Sequence, residues 1–206
     1  MSLNWREIDR ILDELALADA LIQDIRQPRH FQLVLELYRR GQSFQVLFSL
    51  ANPHCRLHRL SRRLSATGKP QRFVSFLRAH VRGGRILAAS QVGAERVVRL
   101  EVRRSSAAGP TGAGEPGAEG PEGQTVILWA RLWAGAANLI ATDAHGHILD
   151  ALYRRPKRGE VSGGQYQPPA PRDEDSVREA REVRELPGPG DFNERVERHY
   201  FALEEQ

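Results

Sequence analysis

Cysteine is nearly absent from this chain of 206 residues: Cys55 stands alone, which excludes an intramolecular disulfide and fits a reducing compartment. Its neighbours His54, Arg56 and His58 are those of a reactive thiol, yet an inert, half-buried cysteine is the simpler reading. Lysine is almost as scarce. Lys69 and Lys157 are the only two, and arginine supplies the remaining positive charge. No apolar run approaches the roughly 20 residues that span a bilayer. The opening MSLNWREIDR carries charge where a signal peptide needs an apolar stretch. The expectation is a soluble, cytoplasmic protein with no membrane partner. There is no glycine-rich phosphate loop, no nucleophile elbow and no histidine pair with metal spacing. The expectation is therefore no catalytic residue, no metal or cofactor, and no small-molecule substrate.

Acid is missing from one long stretch. Within residues 53–85 every charged side chain is basic: Arg56, Arg59, Arg62, Arg63, Lys69, Arg72, Arg78, Arg82 and Arg85. Residues 1–104 hold 19 arginines and lysines against 9 aspartates and glutamates, a net of +10. Residues 105–206 hold 11 against 17, a net of −6. A one-signed stretch repels itself unless anions are near, and a polyphosphate is the usual anion. Arginine also makes planar, bidentate phosphate contacts that lysine cannot. A G+C-rich genome accounts for arginine over lysine but not for the lack of acids, which favours nucleic acid over plain solvation.

Trp5, Ile8, Leu12 and Leu15 recur at helical spacing behind Asn4, and Glu7 sits where a capping box needs it, so a helix spans about 4–18. A strand in ALIQDIRQ ends at Pro28, and FQLVLELY and FQVLFSL flank RRGQS as a hairpin. ANPHCRLHRLSRRLSATGKP reads as irregular and basic. PQRFVSFLRAHVRGG reads as a second helix, with Phe73, Phe76, Leu77, His80 and Val81 on its apolar stripe; His80 is expected to pack there rather than act as ligand or base. Strands are expected at 85–92, 96–104, 124–133, 137–142 and 147–153. Residues 105–124, nearly free of large apolar side chains, read as a disordered hairpin loop. After a charged linker, 171–186, residues 187–206 read as the start of a following helical domain cut short. Between the first two of those later strands lies QVGAER, 91–96, where the chain turns at Gly93 and presents Glu95 beside Arg96.

Four segments then follow one pattern in order. FVSFLRAHVRGGRI supplies Phe73, Leu77, Arg78, His80 and Gly83, and QVGAERVV follows it. NLIATDAHGHILDAL supplies Asn138, Leu139, Ile140, Asp143, Gly146, Ile148, Asp150, Ala151 and Leu152. GGQYQPP supplies Gly163, Tyr166, Pro168 and Pro169. Together they resemble the NFACT N-terminal domain of ribosome-quality-control factors, once labelled fibronectin-binding protein A, over about residues 2–170. The sequence departs from that pattern in three places: Ser162 replaces a proline, Glu95 replaces the usual aspartate before Arg96, and Trp133-Ala134-Gly135 lacks an arginine the family carries.

The resemblance implies an α+β fold: a β-sandwich with two helices, similar to the N-terminal domain of formamidopyrimidine-type DNA glycosylases, with a C-terminal helical extension after residue 170. It implies a non-catalytic RNA-binding module that works on the obstructed large ribosomal subunit and on tRNA, alanyl-tRNA in bacterial members, to support tailing of stalled nascent chains. Glu95 and Arg96 would then engage tRNA, and Arg56, Arg59, Arg62, Arg63, Arg72, Arg78 and Arg82 would lie along RNA phosphates. Two alternatives are a glycosylase-like nucleic-acid binder and a fibronectin-binding adhesin. A glycosylase of that fold attacks through an N-terminal proline followed by glutamate, where this chain has Ser2 and Leu3. An adhesin needs export.

Overall fold

The computed structural model describes residues 1–65, 68–105, 123–173 and 182–205. Nine antiparallel strands form one sheet: β1 (Leu21–Arg26), β2 (Gln32–Arg39), β3 (Gln42–Ser49), β4 (Arg56–Leu60), β5 (Arg85–Gln91), β6 (Val97–Arg104), β7 (Gln124–Arg131), β8 (Asn138–Thr142) and β9 (Ile148–Ala151). Their order across the sheet is β4-β3-β2-β1-β5-β6-β7-β8-β9. Two meanders, β1–β4 and β5–β9, meet where Leu21 pairs with Arg85. Three helices complete the fold: α1 (Trp5–Leu15), α2 (Arg72–His80) and α3 (Phe192–Glu204). The α+β class is as expected. The two sheets of a sandwich are instead one hydrogen-bonded sheet, because Ile22 and Ile86 extend the ladder across the junction through Gly84 and Ala20.

Most of the core is a single cluster that draws on both meanders and all three helices. Its first part is legible in α1. The Asn4 side chain accepts from the Glu7 amide and the Glu7 carboxylate accepts from the Asn4 amide, a complete capping box. The stripe it starts buries Trp5, Ile8, Ile11, Leu12 and Leu15, each worth about 1.5–3 kcal/mol of apolar burial where the side chain is fully covered.

Two expectations fail. The first is that 51–70 is irregular: Arg56–Leu60 is the edge strand β4. Its alternate polar residues, Arg56 and His58, are fully buried because α3 covers them. The second is that the last helix opens a separate domain with nothing to pack on. Phe192, Val196 and Tyr200 are fully buried against the same core, and α3 lies on α1 and β4. Leu186, from the supposed linker, is buried too. The middle of that linker, 174–181, and most of the expected hairpin loop, 106–122, lie outside the described residues.

α3 also seals the sheet. The Arg59 amide donates to Asn193 Oδ1 at 2.9 Å and the Ser61 amide to Glu197 Oε1 at 3.0 Å. Outward-facing edge amides that could pair with another chain are thus capped by side chains. Glu14 of α1 accepts in turn from the Phe192 and Asn193 amides at the start of α3. Three elements distant in sequence are pinned at one place.

Candidate nucleic-acid interface

The QVGAER turn is held by a segment that sequence reasoning assigned to a linker. The Ala94 amide donates to the Arg172 carbonyl at 3.0 Å. Gly93 has φ +49°, and a Cβ there would lie 2.8 Å from the Arg172 oxygen and 2.9 Å from its nitrogen. Glycine is required twice over, by conformation and by space. Glu95 forms an ion pair with Arg172, Oε1 to Nε at 2.8 Å. The Leu132 amide donates to the Arg96 carbonyl at 2.9 Å. Trp133-Ala134-Gly135, the segment without the family's arginine, therefore begins directly beside Arg96.

Arg96 lines a cavity of 540 Å³ together with Ser2, Asn4, Glu95, Arg172 and Arg184. Its floor is rigid. Glu7 is fully buried and holds Arg184 through both carboxylate oxygens, at 2.6 and 2.9 Å. Burial alone would lower the Arg184 pKa; its bonds to Glu7 and Tyr200 outweigh that and raise it, keeping the charge in place. Arg96 is also close enough to Cys55 for its charge to favour the thiolate, but burial dominates and pushes that thiol up, so Cys55 is inert as the sequence suggested.

Much of the expected basic segment is paired within the fold. Arg56 is fully buried, its guanidinium bonded to Glu204 at 2.7 Å. Arg59 is paired with Asp191 and Glu194. Arg72 holds Asp150 and the Ala151 carbonyl. Arg78 donates to the Ile25 carbonyl and sits 3.6 Å from Asp24, which Arg82 also approaches at 3.9 Å. The missing acids come from other parts of the chain. Arg62, Arg63 and Arg82 remain exposed, with Arg62 over the Phe201 ring and Arg63 at 3.8 Å from Glu36. Arg62 and Arg63 follow β4, whereas Glu95 and Arg96 stand together in the turn between β5 and β6.

The family motifs build scaffold. Asn138, fully buried, donates to the Tyr153 carbonyl and to Glu160 and accepts from the Leu139 and Tyr153 amides. Asp150 anchors Arg72. Tyr166 packs on Trp129 with ring centroids 5.1 Å apart. His80 stacks on Phe76 at 4.5 Å, a packing role as expected. Among the described residues no group of three or more histidine, cysteine, aspartate or glutamate side chains could hold a metal, and no helix is long and apolar enough to cross a membrane.

The family model for the NFACT N-terminal and middle domains matches residues 7–194. The chain belongs to the NFACT family. Solved structures place its fold beside other N-terminal domains. The fibrinogen binding protein from Staphylococcus aureus is 20% identical with a TM-score of 0.66. The N-terminal part of the fibronectin/fibrinogen-binding protein from Streptococcus suis is 19% identical with a TM-score of 0.70. The N-terminal domain of fibronectin-binding protein PavA from Streptococcus pneumoniae is 22% identical with a TM-score of 0.68. Each alignment covers 81% of this chain, which spans only 56–61% of those structures' own length. No curated protein sequence matches it. The NFACT match extends into α3, in keeping with the packing of Phe192 against the core.

Proposed function

We propose that this NFACT N-terminal domain is a non-catalytic RNA-binding module of a cytoplasmic ribosome-quality-control factor. It contacts tRNA through the QVGAER turn, and the whole protein binds the obstructed large subunit to support tailing of stalled chains. The observation that carries this is the family match together with the placement of Arg96. The turn that presents it is clamped from both sides, by Arg172 and by Leu132, at the rim of an open cavity. A guanidinium carried on a clamped backbone can meet a phosphate or stack on an unpaired base. Glu95 supports the turn through Arg172 more than it offers a contact of its own.

No glycosylase step belongs to this reading. Ser2 Oγ is occupied by the Pro53 carbonyl and the Cys55 amide, and Leu3 is fully buried. The adhesin reading draws only on what the neighbouring structures are named for, and likeness at 19–22% identity speaks to fold alone.

Filter binding of tRNA tests the proposal. Arg96→Ala is expected to weaken tRNA about tenfold while Arg63→Ala, on the separate basic segment, changes it less than threefold. Equal effects of the two substitutions, or no tRNA retention by the parent chain, would overturn it.

A further inference from the structure

The β2–β3 hairpin and the start of β5 carry a cluster that the family motifs do not include and that takes only Arg85 from the 53–85 segment. Arg39 and Gln42 pair at the hairpin end, leaving a loop of only Arg40 and Gly41. Both loop residues have positive φ, +50° and +84°. Such a turn ordinarily takes asparagine or glycine at its first position. Arg40 is held there, exposed and against its backbone preference.

Tyr38, Arg39, Arg40 and Arg85 line one hollow of 210 Å³ with Leu21 and Asp19. Tyr38 and Arg85 share a row across the sheet, since each pairs with Leu21. Tyr38 is 40% exposed, one of few large apolar side chains so placed among the described residues. Arg85 is steadied by the Asp19 carbonyl at 2.7 Å. No ion pair joins Arg39, Arg40 or Arg85 to a carboxylate among the described residues, in contrast to the compensated arginines of α2 and β4. On its other side the same hairpin borders a second hollow, of 520 Å³, lined also by Phe44, Glu14 and the already paired Arg59.

We propose that this hairpin surface is a second RNA contact, for an unpaired stretch whose base stacks on Tyr38 while the flanking phosphates meet Arg39, Arg40 and Arg85. An exposed ring among unmatched guanidinium groups reproduces the two halves of a nucleotide, π-face and phosphate, and is indifferent to sequence. An acidic peptide would use the arginines but not the ring. The inference rests on the RNA-binding reading above, yet uses none of the residues at Arg96.

The test is fluorescence anisotropy of the 206-residue chain with a labelled 12-nucleotide oligouridylate, an RNA duplex of equal length, and tRNA, with poly-glutamate as competitor. Tyr38→Ala is expected to weaken oligouridylate at least fivefold and the duplex little, and Tyr38→Phe to restore binding. Arg40→Asn, which relaxes the turn, combined with Arg85→Gln is expected to reduce the slope of log affinity against log salt by about 1.4. Unchanged thermal melting of each variant ties the loss to the surface. If tRNA binding depends on Arg96 while oligouridylate ignores every hairpin substitution, this inference fails and the tRNA reading stands. The reverse pattern sinks the Arg96 contact and upholds the hairpin. Absence of any RNA binding by the parent chain ends both. Poly-glutamate binding through the same arginines without oligouridylate binding replaces RNA by an acidic protein and overturns the proposal.

Discussion

His58 is the residue in which burial is most directly a function of pH. It is fully buried between β4 and α3, and desolvation, followed by the nearby Arg56 charge, lowers its pKa to about 3. Its geometry agrees: Nδ1 lies 2.8 Å from the Arg59 carbonyl, which accepts, and Nε2 faces the Arg56 Nε–H at 3.4 Å. A proton on Nε2 would confront the guanidinium, so the folded state keeps the ring neutral. The unfolded chain takes a proton near pH 6.5, so the stabilising effect of the neutral ring is complete above that value and is lost as pH falls toward 3. Urea unfolding between pH 7 and pH 4.5 is expected to show stability declining by up to about 1.4 kcal/mol per pH unit on this account. His58→Gln, which keeps a donor and an acceptor, is expected to flatten that slope. A second residue-scale expectation concerns Gly93. Gly93→Ala adds a methyl that meets Arg172 backbone at 2.8 Å. It is expected to cost about 1–3 kcal/mol in urea unfolding and to weaken tRNA binding by moving Arg96.

Among the elements, α3 decides most. It was read as the start of something else because its stripe of Phe192, Val196 and Tyr200 has no partner nearby in sequence. Its partners are β4, about 135 residues earlier, and α1. β4 was missed for the reciprocal reason. Arginine and histidine at alternate positions look like a solvated loop until a helix bearing Glu204, Asn193 and Glu197 covers them. Asn193→Ala removes the acceptor for the Arg59 amide and a donor to Glu14, and is expected to cost about 1–3 kcal/mol by leaving buried groups unmatched. Deleting residues 191–206 is expected to expose the β4 edge and drive self-association, which light scattering would detect at micromolar concentration. A monomeric, fully folded truncated chain would show that α3 is dispensable. By contrast the start of α1 is legible in the sequence, cap included, because Asn4, Glu7 and the apolar stripe act within a few turns of chain; its end is not, the helix stopping at Leu15 rather than near 18.

At the scale of the whole molecule the charge map is redrawn by folding. Nine basic side chains without an acid between 53 and 85 predict a steep salt dependence of RNA binding. In the fold Arg56 is out of reach and Arg59, Arg72 and Arg78 already have carboxylates. Within that segment Arg62, Lys69 and Arg85 stay exposed with no carboxylate partner among the described residues, so on the proposed reading it would contribute about three or four phosphate contacts rather than nine. The slope of log affinity against log salt for tRNA is therefore expected near −2 to −4. A slope of −6 or steeper, measured by filter binding between 50 and 200 mM salt, would mean that the paired arginines open to RNA.

The sequence by itself determined the local features: the capped first helix, the hairpins, the turn that offers Glu95 and Arg96, and membership of the NFACT family. The first three depend on periodicity or turn residues over a few neighbouring positions, and the family on four motifs in order along the chain, signals that survive without a fold. Only the tertiary structure decided that the edge strand β4 exists, that the last helix belongs to the core, and that Arg172 clamps the QVGAER turn. It likewise decided which arginines are without a carboxylate partner among the described residues, Arg40 and Arg85 rather than Arg56 and Arg72. Charge compensation acts through space over a few ångströms, and the acids that cancel this basic stretch are supplied from positions 24, 150, 191, 194 and 204, which no window on the sequence brings together.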